Sequence, residues 1–396
     1  MLAKTTLIYT SAHSSNRRPA QAEKEEILRL DKAGVKAARI ISLLKQNQEE
    51  YGGSAENILT SPRDIANIIT TNRKEAKNGL TNAESAIKQL QKLSWRFTSL
   101  EDKDSYLTDI LLMPAKLKHL QLLARFLSVL FMDCTYNTNK AKLPFLHVVG
   151  CTNKNTTFPV VFGLLGGETS DTYRWALRWI NQQLISLGIE GPQVVITDRG
   201  LALMNALRDE MPYAQYLLCI WHIKKAVRDW LKRTGLPNGL VTRYINLWNA
   251  VMEAETQDTY NKAIAVLRKE APPKLIAYLE EFWIPRASKF VAFHTNQHFH
   301  LGQRTSSRVE GAHAKLKREL QTSRCDVDRL VQICVSIVDS YLQQWRQGSA
   351  ADEMNPSIRW LEEPFFVEVL RKVSAVAIKE VSANLKRVVL LGLTYF

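Results

Sequence analysis

The sequence predicts an α/β fold of the α+β kind: a mixed sheet flanked by helices, interrupted by an all-helical insertion and preceded by a helical N-terminal region. Three observations predict it. Between residues 127 and 162, three short runs of strand-forming residues follow one another, separated by turn-prone Asn, Lys and Gly. A fourth apolar run, Gln193 to Asp198, reads as a buried strand that ends in an acid. On either side of this block, apolar residues recur at helical spacing.

Bulk properties narrow the class. With 396 residues, 45% of them apolar, the chain can bury a substantial core in one large domain with additions or in two or three smaller ones. No apolar stretch approaches the roughly 20 residues that span a bilayer, which argues against a membrane protein. The formal charge of +14, from 53 basic and 39 acidic residues, suits a polyanion such as nucleic acid, although a solvated basic surface gives the same balance. Five scattered cysteines do not form a disulfide framework, so a reducing compartment is expected.

Residues 1–20 lack an apolar period and carry Lys4, Arg17 and Arg18, which reads as a flexible basic tail. A helical region follows over 21–100. Ile27, Leu28 and Leu30 lead to Val35, Ala38, Ile40, Ile41, Leu43 and Leu44, and after Gly52-Gly53 comes Ser61-Pro62, an N-cap with proline at the first helical position. A helix-turn-helix reading places the helix over 62–75 against DNA, with Arg63, Arg73 and Lys74 as contacts; an ordinary helical bundle is the alternative.

The first part of the sheet domain is expected over 101–225. It opens with an amphipathic helix over 111–126. Leu127 to Asp133, Leu143 to Val149 and Thr157 to Phe162 form an antiparallel meander; a helix over 171–187, the strand ending at Asp198, a helix over 201–209 and a strand over 215–220 complete it. That is the order of the ribonuclease H-like fold. A helical insertion over 226–303 carries Trp230, Trp248 and Trp283, and residues 304–396 supply further helices. The tryptophans read as core; stacking on an unpaired base is the alternative for Trp248 or Trp283.

Asp133 and Asp198 each end an apolar strand, and those strands are neighbours in a ribonuclease H-like sheet, so the two carboxylates would face each other. Acids so placed suit divalent cations in phosphodiester chemistry, because Mg²⁺ needs only a few carboxylates on rigid elements. Each could equally cap the element that follows it. The surrounding words point further. Met132 to Asn139, Leu143 to Gly150, Thr197 to Ala206 and Leu218 to His222 occur in an order that resembles the Mutator-like element (MULE) transposases of eukaryotes.

The resemblance covers about 111–231 closely and reaches, more loosely, a helix around Glu310. It implies a DDE transposase that cuts and joins double-stranded DNA with Mg²⁺ (or Mn²⁺) held by Asp133, Asp198 and Glu310, in the nucleus. Ser306 or Ser307 capping the helix, with Glu310 completing a capping box at the Ser307-x-x-Glu310 spacing, is the alternative for the third acid. Cys219 and His222 form a Cys-x-x-His word that is half of a zinc site, with His294, His298 and His300 as possible completing ligands; a packed strand end is the alternative. Basic residues Lys224, Lys225, Arg228, Lys232, Arg233, Lys315, Lys317 and Arg318 would track the DNA backbone or form solvated helix faces.

The pattern departs from the family at both ends. Mutator-like proteins often carry zinc-stabilised modules before and after the catalytic domain, whereas here no cysteine precedes Cys134, and Cys325 and Cys334 form no Cys-x-Cys word. End recognition would then fall to residues 21–100, or the chain is a truncated or immobile copy. Joining two ends makes a homodimer the expected assembly. A transposase-derived DNA-binding regulator without catalysis and a metal-dependent nuclease that never joins strands are the competing functions; retention of three acids argues against the regulator.

Overall fold

The computed structural model describes residues 19–32, 34–35, 37–50, 60–320, 325–354, 366 and 372–390. Apart from Pro19 and Ala20, the basic tail expected over 1–20 lies outside these, as does the Gly52-Gly53 break. The chain divides between Lys88 and Gln89 into two compact units.

In the first unit, α1 (Gln21–Lys32), α2 (Ala37–Glu50) and α3 (Pro62–Ala76) bury Ile27, Leu30, Ile40, Leu44, Ile65 and Ile69 against one another. These are the apolar positions of the sequence pattern, at spacings of three and four. Gly34, at φ 80°, ends α1, and the Val35 N–H donates to the Leu30 carbonyl at 3.0 Å, a turn that leaves the helix-terminal carbonyl satisfied. Helix α3 begins where Ser61-Pro62 predicts. The Ser61 side chain accepts from the Asp64 N–H, and the Asp64 carboxylate accepts from the Ser61 N–H, a full capping box with Pro62 behind it.

The second unit, reached through α4 (Asn82–Lys92), is built on a seven-stranded sheet. Its strands are β1 (Arg96–Glu101), β2 (Leu107–Met113), β3 (Val129–Thr135), β4 (Phe145–Cys151), β5 (Thr157–Leu164), β6 (Val194–Thr197) and β7 (Gln215–Leu218), in the spatial order β1-β2-β5-β4-β3-β6-β7. Strands β3, β4 and β5 form the antiparallel meander, while β6 and β7 run parallel to β3. Those five strands have the ribonuclease H-like order.

The hairpin β1-β2 at the edge corrects the sequence reading, which ran helices to residue 100 and began another at 111. Strand β2 pairs with β1 on one side and β5 on the other, so its apolar run from Ile110 to Met113 is buried in the sheet. The helix starts only after Pro114, as α5 (Leu117–Phe126). Short apolar runs fit either period; cross-strand partners decided this one.

Helices α6 (Ser170–Ser186) and α7 (Leu201–Glu210) pack on each other between the strands they connect. The insertion comprises α8 (Ile220–Arg233), α9 (Asn238–Met252), α10 (Gln257–Glu270), α11 (Pro273–Phe282), a 3-10 helix (Ile284–Lys289) and the short α12 (Ala292–Thr295). It has its own core of Val227, Leu231, Ile245, Leu275, Leu279 and Phe290 around Trp248 and Trp283. Both tryptophans are therefore core, and neither presents a face to solvent for an unpaired base to stack on. The chain then returns to the sheet as α13 (Ser307–Leu320), followed by α14 (Val327–Met354) and α15 (Ala375–Leu390).

Candidate active site

Strands β3 and β6 pair Val129 with Val194, Leu130 with Val195 and Phe131 with Ile196. The same offset relates Asp133 to Asp198, which follow at the carboxyl ends of the two strands. Side chains alternate along a strand, so Val129, Phe131 and Asp133 share one face of the sheet. Val129, Phe131, Val194 and Ile196 pack with Val309 and Ala312 of α13. The face that carries the acids is thus the face that α13 covers, and Glu310 follows directly on one of its anchoring residues.

Glu310 is held by the start of its own helix and the end of β7. The Ser306 hydroxyl donates to Glu310 Oε1 at 3.0 Å and lies 3.2 Å from His222 Nδ1. The Ser306 N–H donates to Cys219 Sγ at 3.1 Å. The capping alternative for Glu310 required its carboxylate to return to an N-cap N–H. Here the thiol takes the Ser306 N–H, and the carboxylate accepts a side-chain hydroxyl instead. His222 Nε2 stands 3.9 Å from Glu310 Oε1.

The charges explain the arrangement. Burial, reinforced by the neighbouring Asp198 carboxylate, pushes the Asp133 carboxyl up to about 7, against the pull of His222 and a hydrogen bond from the Cys134 N–H. Two acids in a half-dry site repel, and a cation between them would relieve both. A hydrogen bond with Cys219 is the main cause that raises His222 above its usual range, outweighing its burial. Burial works to raise the Cys219 thiol, but hydrogen bonds from His222 and Ser306 win and lower it.

Among the described residues, Cys219, His222 and Glu310 are the one group of three or more ligand-type side chains whose donor atoms all lie within 4.8 Å of one another. His294, His298 and His300, the possible completing ligands of the Cys-x-x-His word, are not in this group, and Glu310 is. The three acids do not close to that spacing either; a pair of divalent cations about 4 Å apart needs carboxylates spread more widely.

Several residues at the site escaped the sequence reading. A cavity of about 300 Å³ beside Asp133 and Asp198 is lined by Glu168, Tyr136 and Tyr173. Glu168 accepts from both tyrosine hydroxyls, from Tyr173 at 2.9 Å. Behind Asp133, His147 is its cross-strand partner and His313 Nδ1 lies 3.9 Å from its Oδ2. Burial holds His313 down to about 4 and His147 well below the usual imidazole range, so both rings are neutral at pH 7. His147 and His313 were visible inside quoted words without a role; Glu168 belonged to no motif.

The basic residues separate. On α8, Val227 and Leu231 are buried, while Lys225, Arg228, Lys232 and Arg233 are exposed; Lys225 lies 5.2 Å over the exposed Trp221 ring, and Lys224 stands 3.6 Å from Glu253. On α13, Lys317 and Arg318 are exposed, but Lys315 donates to Ser340 at 2.8 Å and lies over the Tyr341 ring. Lys315 is thus packed against α14 rather than directed outward. In the first unit Arg63 and Lys74 are exposed, whereas Arg73 forks onto both oxygens of Asp31. Among the described residues, no helix is long and apolar enough to cross a membrane.

Strands β3 to β7 thus combine a ribonuclease H-like strand order with acids at the ends of two adjoining parallel strands. Residues 129–226 match the family model described as the MULE transposase domain. Relatives include the PKS-NRPS hybrid synthetase cheA of Chaetomium globosum, 22% identical over 96% of this chain but only 8% of its own length. Two others are Protein FAR1-RELATED SEQUENCE 6 and Protein FAR1-RELATED SEQUENCE 11 of Arabidopsis thaliana. The first is 28% identical over 37% of this chain and 18% of its own length, the second 25% identical over 58% and 32%. The chain therefore spans a minor part of each of these relatives.

Proposed function

We propose that this chain is a DDE transposase, cleaving and joining DNA strands with divalent cations held by Asp133, Asp198 and Glu310. The observation that carries the reading is the convergence of Asp133 and Asp198, from the ends of neighbouring parallel strands, on the sheet face covered by the helix of Glu310. The donor set is all oxygen, which suits Mg²⁺ or Mn²⁺. Burial and the neighbouring Asp198 also outweigh the pull of His222 on the Asp133 carboxyl, an imbalance that a bound cation would relieve.

Such cations, when bound, supply Lewis acidity to the attacking and leaving oxygens of an in-line displacement at phosphorus. The protein's part is positional. Asp133 and Asp198 are fixed by the sheet, and Glu310 is oriented by the Ser306 hydroxyl. Exposed Lys225, Arg228, Lys232, Arg233, Lys317 and Arg318 would bear on the DNA backbone, and Arg63 and Lys74 on the DNA-contacting side of α3. Pairing of two DNA ends makes a homodimer the working assembly, in the nucleus.

One observation favours a second metal chemistry. Cys219, His222 and Glu310 offer thiolate, imidazole and carboxylate, a donor set for zinc with one position open. Glu310 cannot be fully committed to both sites.

Incubation of the protein with Mg²⁺ and DNA carrying candidate terminal repeats tests the function. Strand-joined products are the expected result. Nicked DNA without joining would instead indicate a nuclease, and bound but intact DNA a regulator; either outcome contradicts the proposal.

A further inference from the structure

Beside Asp198 lies a set of basic side chains that the site described above does not use. Arg199 follows Asp198 on the turn from β6 to α7, and its guanidinium lies 4.9 Å from the ring centre of Phe282 and 5.1 Å from that of Trp283. Its Nε is buried and meets no acceptor. Arg286, on the 3-10 helix that follows, is near enough for its charge to act on Arg199, and it donates one N–H to the Phe282 carbonyl at 2.8 Å. Lys289, from the same 3-10 helix, stands 3.8 Å over the ring of Tyr216 on β7, the strand beside β6.

All three are half-buried. Among the described residues none is in an ion pair, and Glu281 exerts only a weak pull on Arg199. Holding Arg199 beside Arg286, partly out of water and with Glu281 the only acid pulling against the repulsion, is unfavourable unless an anion completes the arrangement, and burial likewise disfavours the charge of Lys289. Aromatic faces fix the guanidinium plane and leave its edge to donate, as phosphate recognition by arginine requires. Arg199 directly follows Asp198 in sequence, and the three cations lie where the helical insertion packs against the sheet.

We propose that Arg199, Arg286 and Lys289 form a subsite for the phosphate backbone of the DNA strand engaged at Asp198, so that the insertion helps to grip the substrate. The inference rests on the DNA-cutting function proposed above. If the stacking of Arg199 serves only to anchor the insertion to the sheet, losing these charges alters stability and leaves DNA binding intact.

The test is fluorescence anisotropy of the full chain with a labelled duplex of about 30 base pairs, titrated between roughly 50 and 200 mM salt. Each phosphate contact contributes about 0.9 to the slope of log affinity against log salt, so the triple variant Arg199→Gln, Arg286→Gln, Lys289→Gln should flatten it by about 2 to 3. Arg199→Lys alone keeps the charge and should keep the slope, which guards against a folding defect. Lys262→Gln, Lys269→Gln and Lys274→Gln, exposed elsewhere on the insertion, should leave it unchanged. An unaltered slope in the first triple variant, or equal flattening in the second, overturns the subsite while DNA binding by the unmodified chain keeps the wider function standing. Absence of any salt-dependent DNA binding by the unmodified chain overturns both.

Discussion

Asp133→Asn makes the metal-free protein more stable at pH 8, by about 2 to 4 kcal/mol, and lowers strand cleavage by on the order of a thousand-fold. The two effects have one cause. In the folded chain the Asp133 carboxyl is raised from its usual 3.8 to about 7 by burial and by Asp198. A group raised on folding contributes most below its unfolded value, and that contribution is lost as pH climbs through the folded value. Stability of the metal-free protein should therefore fall between about pH 4 and pH 7, by an amount set by roughly 1.4 kcal/mol per tenfold change in protonation. An asparagine carries no charge to bury, so the variant escapes the loss. On the proposed function the same substitution would remove a cation ligand, at a cost on the order of several kcal/mol in the transition state. Thermal unfolding at pH 5 and pH 8, in chelator, checks the stability arm: a variant with the unmodified protein's pH dependence would refute it.

The second large effect is at Glu310. Glu310→Gln should lower cleavage about a hundred-fold or more while leaving the melting temperature within a few degrees, since the amide still accepts from Ser306 and α13 keeps its anchors Val309, Ala312 and Leu316. A capping role alone would give the reverse, a loss of about 1 kcal/mol in stability with cleavage intact. Measuring both quantities on one preparation separates the two roles.

Much of this architecture was legible in the sequence, for identifiable reasons. The strands β3 to β7 are short apolar runs bounded by Asn, Lys and Gly, and α3 announces itself through Ser61 and Pro62. The hairpin β1-β2 was not legible: Leu107–Met113 continues into an apolar pattern that suits a helix, and only its pairing with β1 and β5 makes it a strand. Pro114 was the local sign of a boundary. At the site, Asp133 and Asp198 could be located because strand ends and flanking words mark them. The link from Glu310 through Ser306 to Cys219 and His222 joins positions more than 80 residues apart, and no local spacing encodes it. Arg199 and the rings of Phe282 and Trp283 meet only once the insertion folds back onto the sheet.

The proposed cation binding by the acids is open to direct measurement. Mn²⁺ binding at pH 8, followed by electron paramagnetic resonance on the unmodified chain and on Asp133→Asn and Asp198→Asn, reads it without requiring a DNA substrate. Bound Mn²⁺ that Mg²⁺ displaces, and that both substitutions abolish, is the expected result. Binding that survives both substitutions, or a protein that holds only zinc through Cys219 and His222, would contradict it.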